Sequence, residues 1–399
     1  LANVVLSFIV AMRRVLQATL GALVVAEASA NRLRTSSFPS FDSFVQQFGL
    51  SYGEDYAARK ELYERRVHEA KQQNGGDGKL WTARVNRRWA WTNDELRLPS
   101  APSVAQDSRQ QLRPSKKMTE IAEVSRVAKV NDYMSPPVPE RYSWTNLSTW
   151  TNTVLDQGSC GSCWAMAAAT LLQAHTEIHT NEVRSFSIQE MVSCVPNPNE
   201  CGGTGGCGGA TMGLALEWVW QHGSSLEHEV PYRSGATGED GECNRDHLIG
   251  QDGASLTAHA GQSFGMKGWQ KLPTNGYVPL MQALVEHGPV GVSVAADGWH
   301  LYGSGIFDMC GKDAVINHAV ILVAYDQEAG HKYWRLRNSW GLDWGEHGMI
   351  RLLRRDDDDS NWCGIDHDPG MGTGCKGGPP QVTVCGMCGM LYSSVLPLF

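Results

Sequence analysis

The sequence predicts an α+β chain built from more than one folding unit, and three observations carry that expectation. The chain has 399 residues, beyond the about 100–200 residues typical of one domain. Its front part holds charged, helix-favouring stretches, whereas the part after residue 137 is rich in Trp, Gly and Cys with closely spaced turns. None of the 11 cysteines precedes Cys160. Apolar residues make up 42% and charged residues 19%, enough for a sizeable core, which excludes a largely disordered chain. A net charge of −8 argues against general nucleic-acid binding. Residues 31–136 carry 18 Lys/Arg and 13 Asp/Glu, a net of +5; residues 137–399 carry 14 and 28, a net of −14. A basic front half thus precedes an acidic back half. Cysteines crowded into one part of a chain suggest a disulfide-stapled domain made in an oxidising compartment.

In chain order, Met12-Arg13-Arg14 is followed by a mainly apolar run to Ala26 and by Ala28-Ser29-Ala30. A positive start, a short apolar stretch and small residues for cleavage form the layout of a secretory signal over residues 12–30. On that reading Met12 is the start, and residues 1–11 are upstream. The run is too short to span a bilayer, and Arg13 and Arg14 would make an anchor over residues 4–26 costly. Residues 41–74 read as helices: Phe41, Phe44 and Phe48 recur at spacings of three and four, and a charged stretch follows until Asn74-Gly75-Gly76 breaks it. Residues 99–137, poor in aromatics and ending in Ser135-Pro136-Pro137, read as a protease-accessible linker. Gly-rich stretches at 202–209 and 369–379 read as loops.

The most informative segment is Gln157-Gly158-Ser159-Cys160-Gly161-Ser162-Cys163-Trp164-Ala165, followed by the helix-forming run 166–174. Ser162 is a fitting N-cap, which puts Cys163 in the first turn. The partial positive charge of a helix start favours thiolate over thiol, so Cys163 there is a ready nucleophile if a base lies nearby. A redox pair of Cys160 with Cys163 is the alternative, although no βαβ unit surrounds it.

This segment resembles the active-site signature of papain-like cysteine proteases, the cathepsin family. Four further stretches match in order: Val138-Pro139-Glu140-Arg141-Tyr142-Ser143-Trp144 resembles the mature start, Gly206-Cys207-Gly208-Gly209 the cleft-lining glycine strip, Asn317-His318-Ala319-Val320 the histidine segment, and Asn338-Ser339-Trp340-Gly341 with Trp344-Gly345-Glu346 the asparagine segment. The match covers roughly residues 138–368. Upstream, residues 38–98 resemble the family's inhibitory propeptide through Glu61, Arg65, Val67-His68 and Thr92-Asn93-Asp94-Glu95-Leu96. There Lys71, Arg88 and Ala90 depart from the pattern, which prefers Asn, an aromatic and an acid.

The resemblance implies an α+β, two-lobe peptidase domain over residues 137–399, with a helical lobe carrying Cys163 and a barrel-like sheet carrying His318 and Asn338. A propeptide and linker over residues 31–136 would block the cleft. It implies that Cys163 attacks the peptide carbonyl, His318 exchanges its proton, Asn338 orients the ring, and Gln157 with the Cys163 amide binds the oxyanion. Gly208 and Gly209 would pair with extended substrate, and Trp344 would lie on the leaving-group side. Proteins and peptides are the expected substrates and the propeptide the expected inhibitor. No metal or organic cofactor is implied, nor nucleic acid or a stable membrane span. A monomeric endopeptidase of an acidic, lysosome-like or extracellular setting, activated at acid pH, is the expectation. A non-catalytic binding protein on the same fold, or a ligase using the same acyl-enzyme, remain open.

The family pattern also implies Cys160–Cys207, Cys194–Cys243 and Cys310–Cys363 disulfides. Cys201, Cys375, Cys385 and Cys388 are left for two further bridges, with zinc at Cys385 and Cys388 as the rival. Two registers fit the tail, because both Cys363 and Cys388 sit in segments like the family's last cysteine segment. Either residues 370–399 are appended, or about 25 residues are inserted before the final strand within 366–399; the insertion is favoured. The side chain closing the specificity pocket is accordingly Asp368 or Ser393, with Ala210, Thr211, Ser293 and Ile316 beside it. Ser393 and an apolar preference are favoured. Asn146-Leu147-Ser148 is a glycosylation sequon.

Overall fold

The protein was analysed as a computed structural model, which describes residues 38–96, 138–152, 155–243, 260–355 and 359–399. The expected signal at 12–30 and linker at 99–137 lie outside them.

The front segment begins with two helices, α1 (Phe41–Phe48) and α2 (Tyr56–Gly75). The Ser40 hydroxyl accepts from the Ser43 amide, and Gly49 ends α1 at φ 61°, a left-handed value that suits glycine. Phe41, Phe44 and Tyr63 pack together, so the aromatic spacing read from sequence is the contact between α1 and α2. On α2 the buried stripe is Tyr63, Arg66, Ala70, Gln73 and Asn74, while Glu61, Arg65 and His68 face solvent. Asn74 bonds the Ala83 backbone twice, its amide donating to the carbonyl (3.0 Å) and its oxygen accepting from the N–H (2.7 Å). That clamp sends the chain into β1 (Trp81–Ala83).

β1 is the edge of a nine-stranded sheet. The other strands are β2 (Tyr142–Ser143), β3 (Gly268–Lys271), β4 (Val290–Val294), β5 (Tyr302–Phe307), β6 (His318–Glu328), β7 (His331–Arg337), β8 (Met349–Arg354) and β11 (Ser394–Leu398), in the order β1-β5-β8-β7-β6-β4-β11-β3 with β2 on β6. Trp81 faces Gly305 across β1 and β5. Gly305 has φ 96°, and a Cβ there would lie 2.3 Å from the Leu80 carbonyl oxygen, so the front segment docks only on a glycine. Two hydrophobic cores result. One gathers Trp164, Leu171, Met191 and Leu216 around α3 (Cys163–Thr180), α4 (Ile188–Cys194) and α5 (Met212–His222). The other fills the sheet with Leu322, Trp334 and Trp344, and takes in Phe41, Phe44, Trp81 and Trp89 from the front segment. The front segment therefore shares its core with the β lobe.

Disulfides join Cys160–Cys207, Cys194–Cys243, Cys201–Cys375, Cys310–Cys388 and Cys363–Cys385. The expected Cys310–Cys363 pair is thus corrected. Strands β9 (Cys363–Asp366) and β10 (Val382–Cys385) form a hairpin whose register sets Cys363 opposite Cys385. Cys388 lies in the next turn, where its carbonyl accepts from the Ala295 amide at 2.9 Å, bringing it to Cys310. Zinc at Cys385 and Cys388 is likewise replaced by these two bonds. β11 closes the sheet between β3 and β4, so residues 367–381 are an insertion within the hairpin before the final strand.

Candidate active site

The cleft between the lobes encloses about 270 Å³ and is lined by Gln157, Cys163, Gly208, Gly209 and His318 among others. The helical lobe supplies the first four. α3 is buried on all sides from Trp164 to Thr176, so its start is rigidly held. Ser162 does not cap it through its side chain; its hydroxyl is bonded to Tyr232 at 2.6 Å instead. The Gln157 amide donates to the Cys160 carbonyl (3.1 Å), and its oxygen accepts from Ser339 Oγ (2.7 Å), so the buried side chain has one orientation.

The β lobe supplies the rest. His318 opens β6 and Asn338 follows β7; an antiparallel pairing aligns the two strands. His318 Nε2–H donates to Asn338 Oδ1 at 2.7 Å. That leaves Nδ1 as the nitrogen free for the cleft. Trp340, 1% exposed, packs 5.1 Å from the imidazole and keeps water from that bond.

The front segment covers this site. Arg88, 1% exposed, donates to Asp156 at 2.7 Å and stacks on Trp91 (4.2 Å) and on Trp340 (5.4 Å). Arg87 pairs with Asp156 and Asp343, Arg84 bonds the Gly345 carbonyl, and Asn86 and Trp89 both donate to the His300 carbonyl. Leu96 enters the cleft itself. Burial pushes the Cys163 thiol up, against the amides of Ala319, Trp164 and Cys163 itself, which favour the thiolate. Burial pulls His318 down to about 4, the Asn338 bond opposes this, and the Arg88 charge adds to it.

Of the remaining candidates, Trp344 is fully buried, with its indole N–H on the Trp299 carbonyl (2.8 Å), and does not line the cleft. Neither Asp368, which is exposed, nor Ser393 lines it. The Ser393 carbonyl accepts from the amide of Ser293, which does. Ala210 and Thr211 line it as well. Asn146 is exposed. Sequence reasoning missed Asp156 and Met371, neither of which carries a local signature, quoted Ser339 only as part of the asparagine segment, and read Arg88 only as a departure from a pattern.

Against known proteins, the model of the papain family cysteine protease matches residues 138–373. The chain belongs to the papain family of cysteine proteases. It is 35% identical over 234 residues to Cysteine protease 1 of Oryza sativa subsp. japonica, covering 57% of this chain and 43% of that protein. It is 34% identical over 232 residues to the KDEL-tailed cysteine endopeptidase CEP2 of Arabidopsis thaliana, covering 57% and 58%. The chain thus spans about half the length of the curated relatives it matches. Among solved structures, the recombinant stem bromelain precursor has a TM-score of 0.62 at 24% identity, covering 90% of this chain and 97% of that one. Digestive procathepsin L2 proteinase from Tenebrio molitor larval midgut has a TM-score of 0.64 at 21% identity, covering 90% and 98%. These matches extend over the front segment, so the papain-like fold includes it. Among the described residues no helix is long and apolar enough to cross a membrane.

Proposed function

We propose that this chain is the precursor of a cysteine endopeptidase that hydrolyses proteins and peptides through a thioester on Cys163. The observation that carries the proposal is the His318–Asn338 bond beside a cysteine at a buried helix start. Asn338 fixes the tautomer, His318 Nδ1 takes the thiol proton, and the thiolate attacks the carbonyl carbon. The Gln157 amide and the Cys163 N–H hold the oxyanion. His318 then protonates the leaving amine, and water, deprotonated by the same ring, releases the acyl group. Gly208 and Gly209 let extended substrate pair with the backbone.

Residues 31–136 serve as propeptide and linker, and residues 137–399 as the peptidase. The Arg88–Asp156 pair and Leu96 support inhibition by occupancy. Acid release follows from two buried histidines. His318 is held down to about 4, and His300, buried beside Arg66 of the front segment, to about 3. Arg66 and Arg88, both of the front segment, add to the lowering, so their departure lets both rings bind protons more readily and falling pH favours the open state. The disulfides and the signal over residues 12–30 suit a secretory route to an acidic or extracellular compartment, with Asn146 as a glycan acceptor. Monomeric action is consistent with a cleft complete in one chain.

The test is labelling by an epoxide inhibitor after incubation at pH 4–5. One equivalent on Cys163, with peptidase activity lost in step, supports the reading. Activity surviving in a folded Cys163→Ser protein overturns it. Processing equally fast at pH 7.5 overturns the acid trigger alone. Product analysis with an added amine distinguishes hydrolysis from ligation.

A further inference from the structure

The insertion between β9 and β10 is used by nothing above, yet it reaches the cleft. Both of its ends are held in the β lobe, by the hairpin register of Asp366 with Val382 and by the Cys363–Cys385 bond. Met371, Gly372 and Thr373 line the cleft together with Gly202, Gly208 and Gly209 of the helical lobe. Gly372 is pressed on the β lobe so closely that a Cβ would lie 1.9 Å from the Ile316 carbonyl oxygen. Two residues on, the chain crosses to the helical lobe. The Gly202 amide donates to the Gly374 carbonyl, and the Lys376 amide to the Asn199 carbonyl, each at 2.9 Å. Lys376 Nζ meets Glu200 at 2.7 Å, and Cys375 is bonded to Cys201. The segment is therefore a strap that joins the two lobes covalently across the cleft.

The front segment marks which end of the cleft the strap occupies. Arg84, Arg87 and Arg88 contact Gly345, Asp343 and Asp156, around Trp340 and Trp344. Leu96, further along the same chain, lies among the glycine strip and the strap residues. The dyad thus sits between a tryptophan end and a strap end. Substrate pairing with Gly208 and Gly209 puts the acyl portion at the strap end.

We propose that the strap is the acyl-side end stop of the cleft, so that the enzyme selects substrates by the length of chain preceding the scissile bond. This rests on the peptidase reading above and adds its substrate class. An extended chain advances about 3.4 Å per residue along a straight groove. Walls joined by a backbone hydrogen bond and a disulfide leave no straight path onward. A longer chain must lift over the strap and give up its pairing with the glycine loop. Met371, 56% exposed on the cleft side of the strap, is the apolar surface that the last accommodated residue meets. Cleavage inside a chain is still allowed, at a rate that falls as the acyl-side stretch grows.

The test uses the acid-processed full chain and fluorogenic peptides with one scissile bond and acyl-side stretches of about one to six residues, up to ~20 Å of extended chain. In wild type, kcat/KM rises over the first few residues and then falls at least about tenfold at the longest. Two variants probe the stop. Cys201→Ser/Cys375→Ser removes the covalent tie. The second replaces residues 367–381 by Asn-Gly, the two-residue turn that the Asp366–Val382 register permits, together with Cys201→Ser. Epoxide labelling of Cys163 establishes that each variant is folded. Recovery of the longest substrates in the turn variant, with the shortest substrate changed less than about twofold, is the expected result. A wild-type profile that stays flat or keeps rising overturns the end stop while leaving the peptidase reading intact, as does a turn variant with an unchanged profile. Absence of cleavage at every length, with no labelling, overturns the peptidase reading instead.

Discussion

The two walls of the cleft are built in opposite ways. The helical-lobe wall is nearly contiguous in sequence: Gln157, Cys160 and Cys163 share one turn-and-helix segment, stapled to the glycine strip by Cys160–Cys207. The β-lobe wall is assembled from distant pieces. His318 begins one strand, Asn338 follows the next, Met371 comes from a hairpin insertion, and Leu96 arrives from the front segment with Arg88 packed behind on Trp340. A local wall fails all at once when its reacting atom is removed. An assembled wall fails by degrees, because each piece positions another. The predictions below press on that contrast.

The largest effect belongs to the local wall. Cys163→Ser is expected to lower kcat/KM by at least about a thousandfold. The melting temperature should stay within a few degrees, since the change is isosteric at a helix start. A large drop in melting temperature would mean that the thiol is structural.

Next comes the cover on the assembled wall. Arg88 stays protonated, although burial pulls it down to about 10. Arg88→Ala leaves Asp156, 28% exposed, with the Gly158 amide and, as its remaining cation, the more distant Arg87 at 3.6 Å. Breaking a largely buried ion pair costs about 3 kcal/mol, the lower bound for such pairs. Self-processing of the precursor at pH 7 should then speed up roughly a hundredfold. An unchanged rate would place the latency in Leu96 and β1.

Asn338→Ala should act more mildly. It removes a buried bond to a group that becomes charged in the reaction, worth about 1.5–3 kcal/mol, hence a loss of roughly 10- to 100-fold in kcat. The acid limb of the pH–rate profile should move down as well, because the bond that raises the His318 pKa is gone. A loss confined to KM would contradict a positioning role.

The smallest effect is on pH dependence. His300 and His318 have depressed values in the closed precursor, about 3 and about 4. The open form, freed of Arg66 and Arg88, therefore binds protons more readily, and closure weakens as pH falls toward 4. Each histidine contributes only the part of its lowering owed to a front-segment arginine, which is the lesser cause beside burial. In a Cys163→Ser precursor that cannot process itself, propeptide release followed by tryptophan fluorescence should rise over that range. His300→Gln should flatten the rise. An unchanged curve would assign the trigger to carboxylates.

The contrast also explains what was legible. The segment 157–165 was legible because its motif and the helix start at Cys163 are neighbours, and the front helices declared themselves by aromatic spacing. The tail did not. Cys363 and Cys388 sit in similar segments, and only the β9–β10 register, which sets Cys363 against Cys385, frees Cys388 for Cys310. Trp344 read as a cleft residue because its motif is distinctive. Its burial follows from packing against Trp299 and Trp340, which no spacing reveals.

By itself the sequence determined the family, the helix that Cys163 begins and the disulfides of the helical lobe, because these rest on interactions between residues close in the chain or on motifs in fixed order. Only the tertiary structure decided that Arg88 is a buried ion-pair partner, that burial raises the Cys163 thiol and lowers His318, and that a strap ties the lobes together. Each of these depends on groups that are far apart in sequence and meet after burial, where charge and hydrogen bonds are governed by what surrounds them and not by their neighbours in the chain.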